Sequence, residues 1–138
     1  NKIAKFMIEE AKATYFKNDM ILEGGSIHTD GDGTLLTTEQ CLLNKNRNPE
    51  LSKDQIEENL KNYLGVNKII WLKNGTDEGT DGHVDNIASF VAPGKILALS
   101  CSDKYDSFYD KINENLEILK KSVDSKGRVL DLAVLIRS

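Results

Sequence analysis

The run Asn74-Gly75-Thr76-Asp77-Glu78-Gly79-Thr80-Asp81 places the strongest limit on the fold. A stretch so polar and so broken by glycine cannot pack a core and has to be a loop. It leads into Gly82-His83-Val84-Asp85-Asn86 and then the apolar Ile87-Ala88-Ser89-Phe90-Val91, the pattern of a buried strand. If that strand has begun by His83, then His83 and Asp85 project from the same face, because strand side chains alternate. Imidazole exchanges protons near neutral pH, and a carboxylate beside it can hold a cation or set the ring's protonation. The same five residues also read as a strand entrance with a satisfied histidine and a turn aspartate. By themselves they leave both readings open.

On either side of this stretch, helical and strand patterns alternate. Ile3, Phe6, Met7, Ala11 and Tyr15 predict an amphipathic helix over 2–17 with a core-packing face. Met20-Ile21-Leu22 predicts a short strand ending in Glu23-Gly24-Gly25, where paired glycines allow a sharp turn or close approach of a ligand. Ser26–Thr29 and Thr34–Thr38 form a hairpin about the Asp30-Gly31-Asp32-Gly33 turn. That turn fails the calcium-loop template, since position twelve from Asp30 is Cys41, so turn chemistry is expected there and not a metal. Leu42-Leu43-Asn44 begins an irregular polar connection. Ser52 with Gln55 makes a capping box for a helix carrying Ile56, Leu60 and Leu64 and stopped by Gly65. A strand at 68–72, a hairpin over 87–100 turning at Pro93-Gly94, a helix from Phe108 to Val123 and a last strand at 129–136 complete an α/β fold of similar modules.

A chain of 138 residues is about one domain, and a net charge of −4 with no basic stripe argues against a nucleic-acid partner. No apolar run reaches membrane-spanning length, and no signal peptide is visible. Cys41 and Cys101 are too few for a disulfide framework and form no C-x-x-C pair. A reduced, cytoplasmic setting is the expectation. Both ends, at Asn1 and Ser138, read as cut.

Together, Leu22–His28, Asp32–Glu39, Cys41–Asn44, Asn46-Arg47-Asn48-Pro49, Ile69–Leu72 and Gly82–Asn86 closely resemble the agmatine deiminases, which stand with the bacterial-type peptidylarginine deiminases in the guanidine-modifying superfamily. The resemblance implies a pentein-type propeller of five ββαβ modules, of which this chain would be a fragment of about two, so that 1–138 is a partial deiminase domain. It implies metal- and cofactor-free hydrolysis of a guanidinium to a ureido group and ammonia, with agmatine giving N-carbamoylputrescine on a route to putrescine. Peptidylarginine is the alternative substrate. Such a cation is planar and stays charged, so carboxylates that grip its N–H edges and a strong nucleophile are both needed. Carried over by motif, His83 is the acid/base, Asp85 a guanidinium-binding carboxylate, and Glu23 the glutamate that helps hold substrate and histidine. His28 is as readily a hairpin residue as a participant.

The chain departs from that pattern in three ways. The nucleophilic cysteine lies beyond its end, and Cys41 and Cys101, with no obvious neighbouring cation, read as inert thiols. The segment bearing a second guanidinium-binding aspartate is also absent, and an extra glycine at Gly79 alters the loop before His83. The chain alone is then either a piece of an enzyme or a non-catalytic, guanidinium-binding or structural fragment. Its open sheet edges predict a homo-oligomer.

Overall fold

A computed structural model describes residues 2–137. Helix α1 (Lys2–Glu10) is followed by an irregular stretch, then by strands β1 (Ile27–Thr29) and β2 (Thr34–Thr38), helices α2 (Glu39–Leu42) and α3 (Lys53–Leu64), and β3 (Lys68–Leu72). Strands β4 (Ala88–Ala92) and β5 (Lys95–Cys101), helix α4 (Tyr109–Lys121) and β6 (Asp131–Arg137) repeat the plan. Two three-stranded sheets result, ordered β1-β2-β3 and β4-β5-β6. In each, the first two strands pair antiparallel, and the third returns through a helix to lie parallel to the second. The chain is thus two ββαβ modules of an α/β fold.

Local chemistry accounts for the elements. The Asp30 carboxylate accepts the N–H groups of Asp32 and Thr34, both at 2.8 Å, while Gly31 and Gly33 take the positive φ the β1–β2 turn requires. Ser52 and Gln55 form the reciprocal capping box of α3, and Gly65 ends that helix at φ 66°. Residues alternate across β2, so Leu35 packs with Ile56, Leu60 and Ile69 beneath α3, whereas Leu36 joins Ile70, Leu72, Val84 and Ile96 in a second core. That second core spans both modules. Each fully buried aliphatic side chain in it contributes roughly 1.5–3 kcal/mol.

The structure corrects four sequence expectations. Helix α1 ends at Glu10 instead of 17, and Lys12, with a left-handed φ of 51°, leaves the right-handed helical backbone. Ile3, Phe6 and Met7, expected in a core, are exposed. Met20–Leu22 is no strand, since the Ile21 backbone bonds in both directions to the Asn48 side-chain amide (2.8 and 2.9 Å) and meets no neighbouring strand. Leu42, expected to open the irregular connection, instead closes a helical turn over 39–42 that the Thr38 hydroxyl caps.

Candidate active site

The two modules begin alike. A 3-10 turn at Gly24–Ser26 precedes β1 and another at Val84–Asn86 precedes β4, with Glu23 and His83 at the corresponding capping positions. His83 therefore does not stand in a strand, and alternation is not what brings it near Asp85. Instead the two turns pack face to face. A Cβ on Gly25 would lie 2.5 Å from Asp85 Oδ2 and 2.6 Å from His83 Nδ1, so only glycine leaves room for both side chains. The close-approach role open to Gly24-Gly25 thus falls to Gly25.

The loop before His83 is held from below. Thr38 Oγ1 donates to the Gly82 carbonyl at 2.7 Å, and Gln40 Oε1 accepts from Gly75 N at 3.0 Å. Gly82 has φ 79°, and a Cβ there would meet Gln40 Oε1 at 2.5 Å. Thr80 Oγ1 donates to Asp77 Oδ2 and accepts from His83 N. On the far side, buried Asn115 of α4 grips the loop's start, accepting from Lys73 N at 2.8 Å and donating to the Asn74 carbonyl at 2.6 Å. The course of the glycine-extended loop is therefore set by side chains of both modules.

Glu23 Oε2 lies 3.4 Å from His83 Nε2, an ion pair when the ring is protonated. His83 Nε2 is buried and otherwise has no hydrogen bond. Arg47, whose side chain is 8% exposed, forks onto Glu23 with Nε to Oε2 at 2.5 Å and Nη2 to Oε1 at 3.1 Å. Its Nη1 donates to Asp81 Oδ2 at 2.7 Å. Arg47 holds the Glu23 carboxyl below its ordinary range, aided by His83 and opposed by burial. Asp81 is likewise lowered, by Asn46 first and then by Arg47. Asp85 is exposed, at the edge of the cluster. The three candidate residues are thus gathered: His83 mostly buried, with Glu23 on its Nε2 side and Asp85 on its Nδ1 side.

Cys41 is both core residue and neighbour of the site. Its Sγ, Glu23 and His83 offer donor atoms within 4.8 Å of one another. Contrary to the sequence reading, a cation does stand near it. That cation is Arg47, already engaged by two carboxylates, and burial dominates, pushing the Cys41 thiol up to about 11. Such a thiol is protonated at neutral pH and a poor nucleophile. A metal on these three donors would have to remove that proton and displace Arg47 from Glu23. The hydrogen bonds of His28 run to β4 and to none of these three side chains. Its Nδ1 accepts from Phe90 N at 3.2 Å, so Nε2 carries the proton and donates to Ser89 Oγ at 3.1 Å. It cross-links β1 to β4.

Sequence reasoning gave no role to Arg47, Asp81, Thr38 or Gln40. For Arg47 and Thr38 the only signal was membership of the quoted motifs, for Asp81 its place in the loop, and Gln40, which falls between two motifs, carried none.

The architecture is that of a known family. The chain belongs to the Porphyromonas-type peptidyl-arginine deiminase family, which it matches over residues 1–137. It is 49% identical over 132 residues to the agmatine deiminase of Pseudomonas aeruginosa, covering 94% of this chain and 36% of that protein. The agmatine deiminase of Enterococcus faecalis superposes with a TM-score of 0.90 at 42% identity, covering 96% of this chain and 37% of the other. A C. jejuni agmatine deiminase with a cysteine-to-serine change, solved with substrate bound, gives 0.82 at 41% identity over 96% and 39% of the two chains. The chain therefore spans less than two fifths of the length of these relatives, and its two modules are those of a pentein-type β/α propeller. No helix among the described residues is long and apolar enough to cross a membrane.

Proposed function

We propose that this chain supplies the acid/base half of a guanidine deiminase active site, and that the whole protein converts agmatine and water to N-carbamoylputrescine and ammonia. The observation that carries the reading is the convergence of Glu23, His83 and Asp85 from two module entrances around Gly25. Asp85, exposed beside His83 Nδ1, grips the N–H edge of the planar cation. A thiolate from outside these 138 residues attacks the guanidinium carbon, and one nitrogen leaves as ammonia with a proton from His83. His83 then takes a proton from water as it attacks the thiouronium carbon, and the sulfur departs as thiolate. Glu23 stabilises the imidazolium that forms at each turn of this cycle. Agmatine is favoured over peptidylarginine by the relatives named agmatine deiminase at 49% and 42% identity.

The reaction needs no cofactor or metal on this reading, and its product lies on a route to putrescine. Two free cysteines are in keeping with a reducing, cytoplasmic setting. The isolated 138-residue chain, whose thiol nearest the site is held protonated, is expected to be inactive and to self-associate. Ammonia and carbamoylputrescine release by the full-length protein tests the reading, with peptidylarginine and free arginine as competing substrates. No turnover of agmatine, or turnover by the isolated chain that Cys41→Ser removes, would overturn it.

A further inference from the structure

Arg47 has an unusual accounting. All five of its N–H groups have acceptors: Glu23 takes two, and Asp81, Asn46 Oδ1 (3.0 Å) and the Thr80 carbonyl (3.0 Å) take one each. The side chain is nearly buried and has no donor left for a substrate or an anion. Its fork occupies one lone-pair direction on each Glu23 oxygen. What remains of Oε2 faces His83 Nε2. A glutamate gripped this way cannot also clasp a second guanidinium with both oxygens, so holding the substrate falls to Asp85 and Glu23 is left to serve the histidine.

We infer that Arg47 is a positioning residue, which clamps Glu23 as a fixed, ionised partner for the His83 imidazolium, and that Asp81 in turn anchors the clamp. This assignment rests on the deiminase reading for its kinetic consequence but not for its structural one. Besides Arg47, the titratable groups beside Glu23 among the described residues are His83 and Cys41, with Asp81 bonded to the other side of the Arg47 guanidinium, and Arg47 lowers the Glu23 carboxyl most. Removing the fork therefore raises the Glu23 titration toward the ordinary carboxylate range. It also frees the side chain to turn away from the ring.

The test uses the full-length protein with Arg47→Gln, Arg47→Lys and Asp81→Asn. The expected result is a kcat loss of about ten- to a hundredfold for Arg47→Gln, a fraction of what a proton shuttle supplies. KM should move little, and the acid limb of the pH profile should shift upward. Arg47→Lys restores charge without the fork and is expected to recover only part of the rate. Asp81→Asn, which leaves Glu23 and Arg47 in place, guards against a folding defect and should show a smaller shift in the same direction. Independently of turnover, carbon NMR of the glutamate carboxyls follows the Glu23 titration in each variant. An unmoved Glu23 titration, or rate losses that track only the folded fraction, would overturn the assignment. Wild-type protein inert on agmatine with a shifted Glu23 titration would sink the deiminase reading and leave the clamp standing.

Discussion

The two modules share one connectivity but not one environment. In the first, β2 is buried along its whole length, packed beneath α3 on one face and against the second module on the other. In the second, β6 is mostly exposed, with Val134, Leu135 and Ile136 open to more than half their surface. The entrance turns differ in kind as well. Glu23-Gly24-Gly25 brings an acid and a space, and His83-Val84-Asp85 brings a base and the side chain that fills that space. A repeated scaffold thus places unlike groups at like positions, and the side-chain cluster forms at the face where two repeats meet. Neither turn forms the cluster alone.

The largest test removes one member of that pair. In the full-length protein, His83→Ala is expected to lower kcat by about a hundred- to ten-thousandfold, the range a positioned proton shuttle supplies. Glu23→Gln should cost less, because it leaves the shuttle and removes its partner. Steady-state ammonia release ranks the two, and equal losses would mean that the histidine acts only through the glutamate. Gly25→Ala is expected to behave as a site lesion with the fold retained, its methyl meeting Asp85 and His83. Loss of rate with an unchanged unfolding midpoint is the signature.

Next comes the difference in burial. Leu36→Ala removes a side chain with no exposed surface from the core shared by both modules and should cost about 2–5 kcal/mol. Leu135→Ala in β6, where the side chain is 57% exposed, should fall within about 0.5 kcal/mol. Urea unfolding of the isolated chain measures both. The same exposed strand predicts self-association of that chain, and light scattering showing a compact monomer would mean that β6 covers itself in some other way.

Much of this is legible in the sequence. The Ser52–Gln55 box, Gly65, the Asp30–Gly33 turn and the Pro93-Gly94 hairpin are local devices whose chemistry lies within a few residues, and each stands where the sequence puts it. His83 and Asp85 stood out by their own chemistry, but their grouping with Glu23 was legible only through matches to motifs; no spacing rule joins residues 23 and 83. The α1 face and the strand at 20–22 misled because periodicity reports which residues could be covered and says nothing of which ones the fold covers. Arg47 was hidden for a different reason. Its partners, Glu23, Asp81 and Thr80, are scattered along the chain, and an arginine in a polar connection looks like solvated surface until the fold closes over it.

The cysteines sharpen the comparison at smaller scale. Cys41 sits behind the first module's entrance with its thiol raised to about 11, so iodoacetamide at neutral pH should leave it unmodified in the folded protein and alkylate it promptly in urea. Rapid alkylation of the native protein at Cys41, read by peptide mass, would mean that the site opens to solvent in a way the packed entrance turns do not suggest.

The smallest effect is the pH dependence of stability that the Glu23–Arg47 pair contributes. Glu23 titrates lower in the folded chain than a free glutamate, chiefly because Arg47 bonds its charged form. A group depressed in this way binds protons more readily when the chain is unfolded, so its stabilisation is complete above the unfolded value, near 4.3. It is lost as pH falls through the folded value. Wild-type protein and Glu23→Gln should therefore show melting midpoints separated by a gap that is present at neutral pH and narrows below about pH 4.5. Because Glu23 is 43% exposed, solvent screening keeps the gap small. A gap that widens on acidification would mean that the carboxylate is destabilising as held, tolerated at the module boundary for what it does to His83 and contributing nothing to the fold.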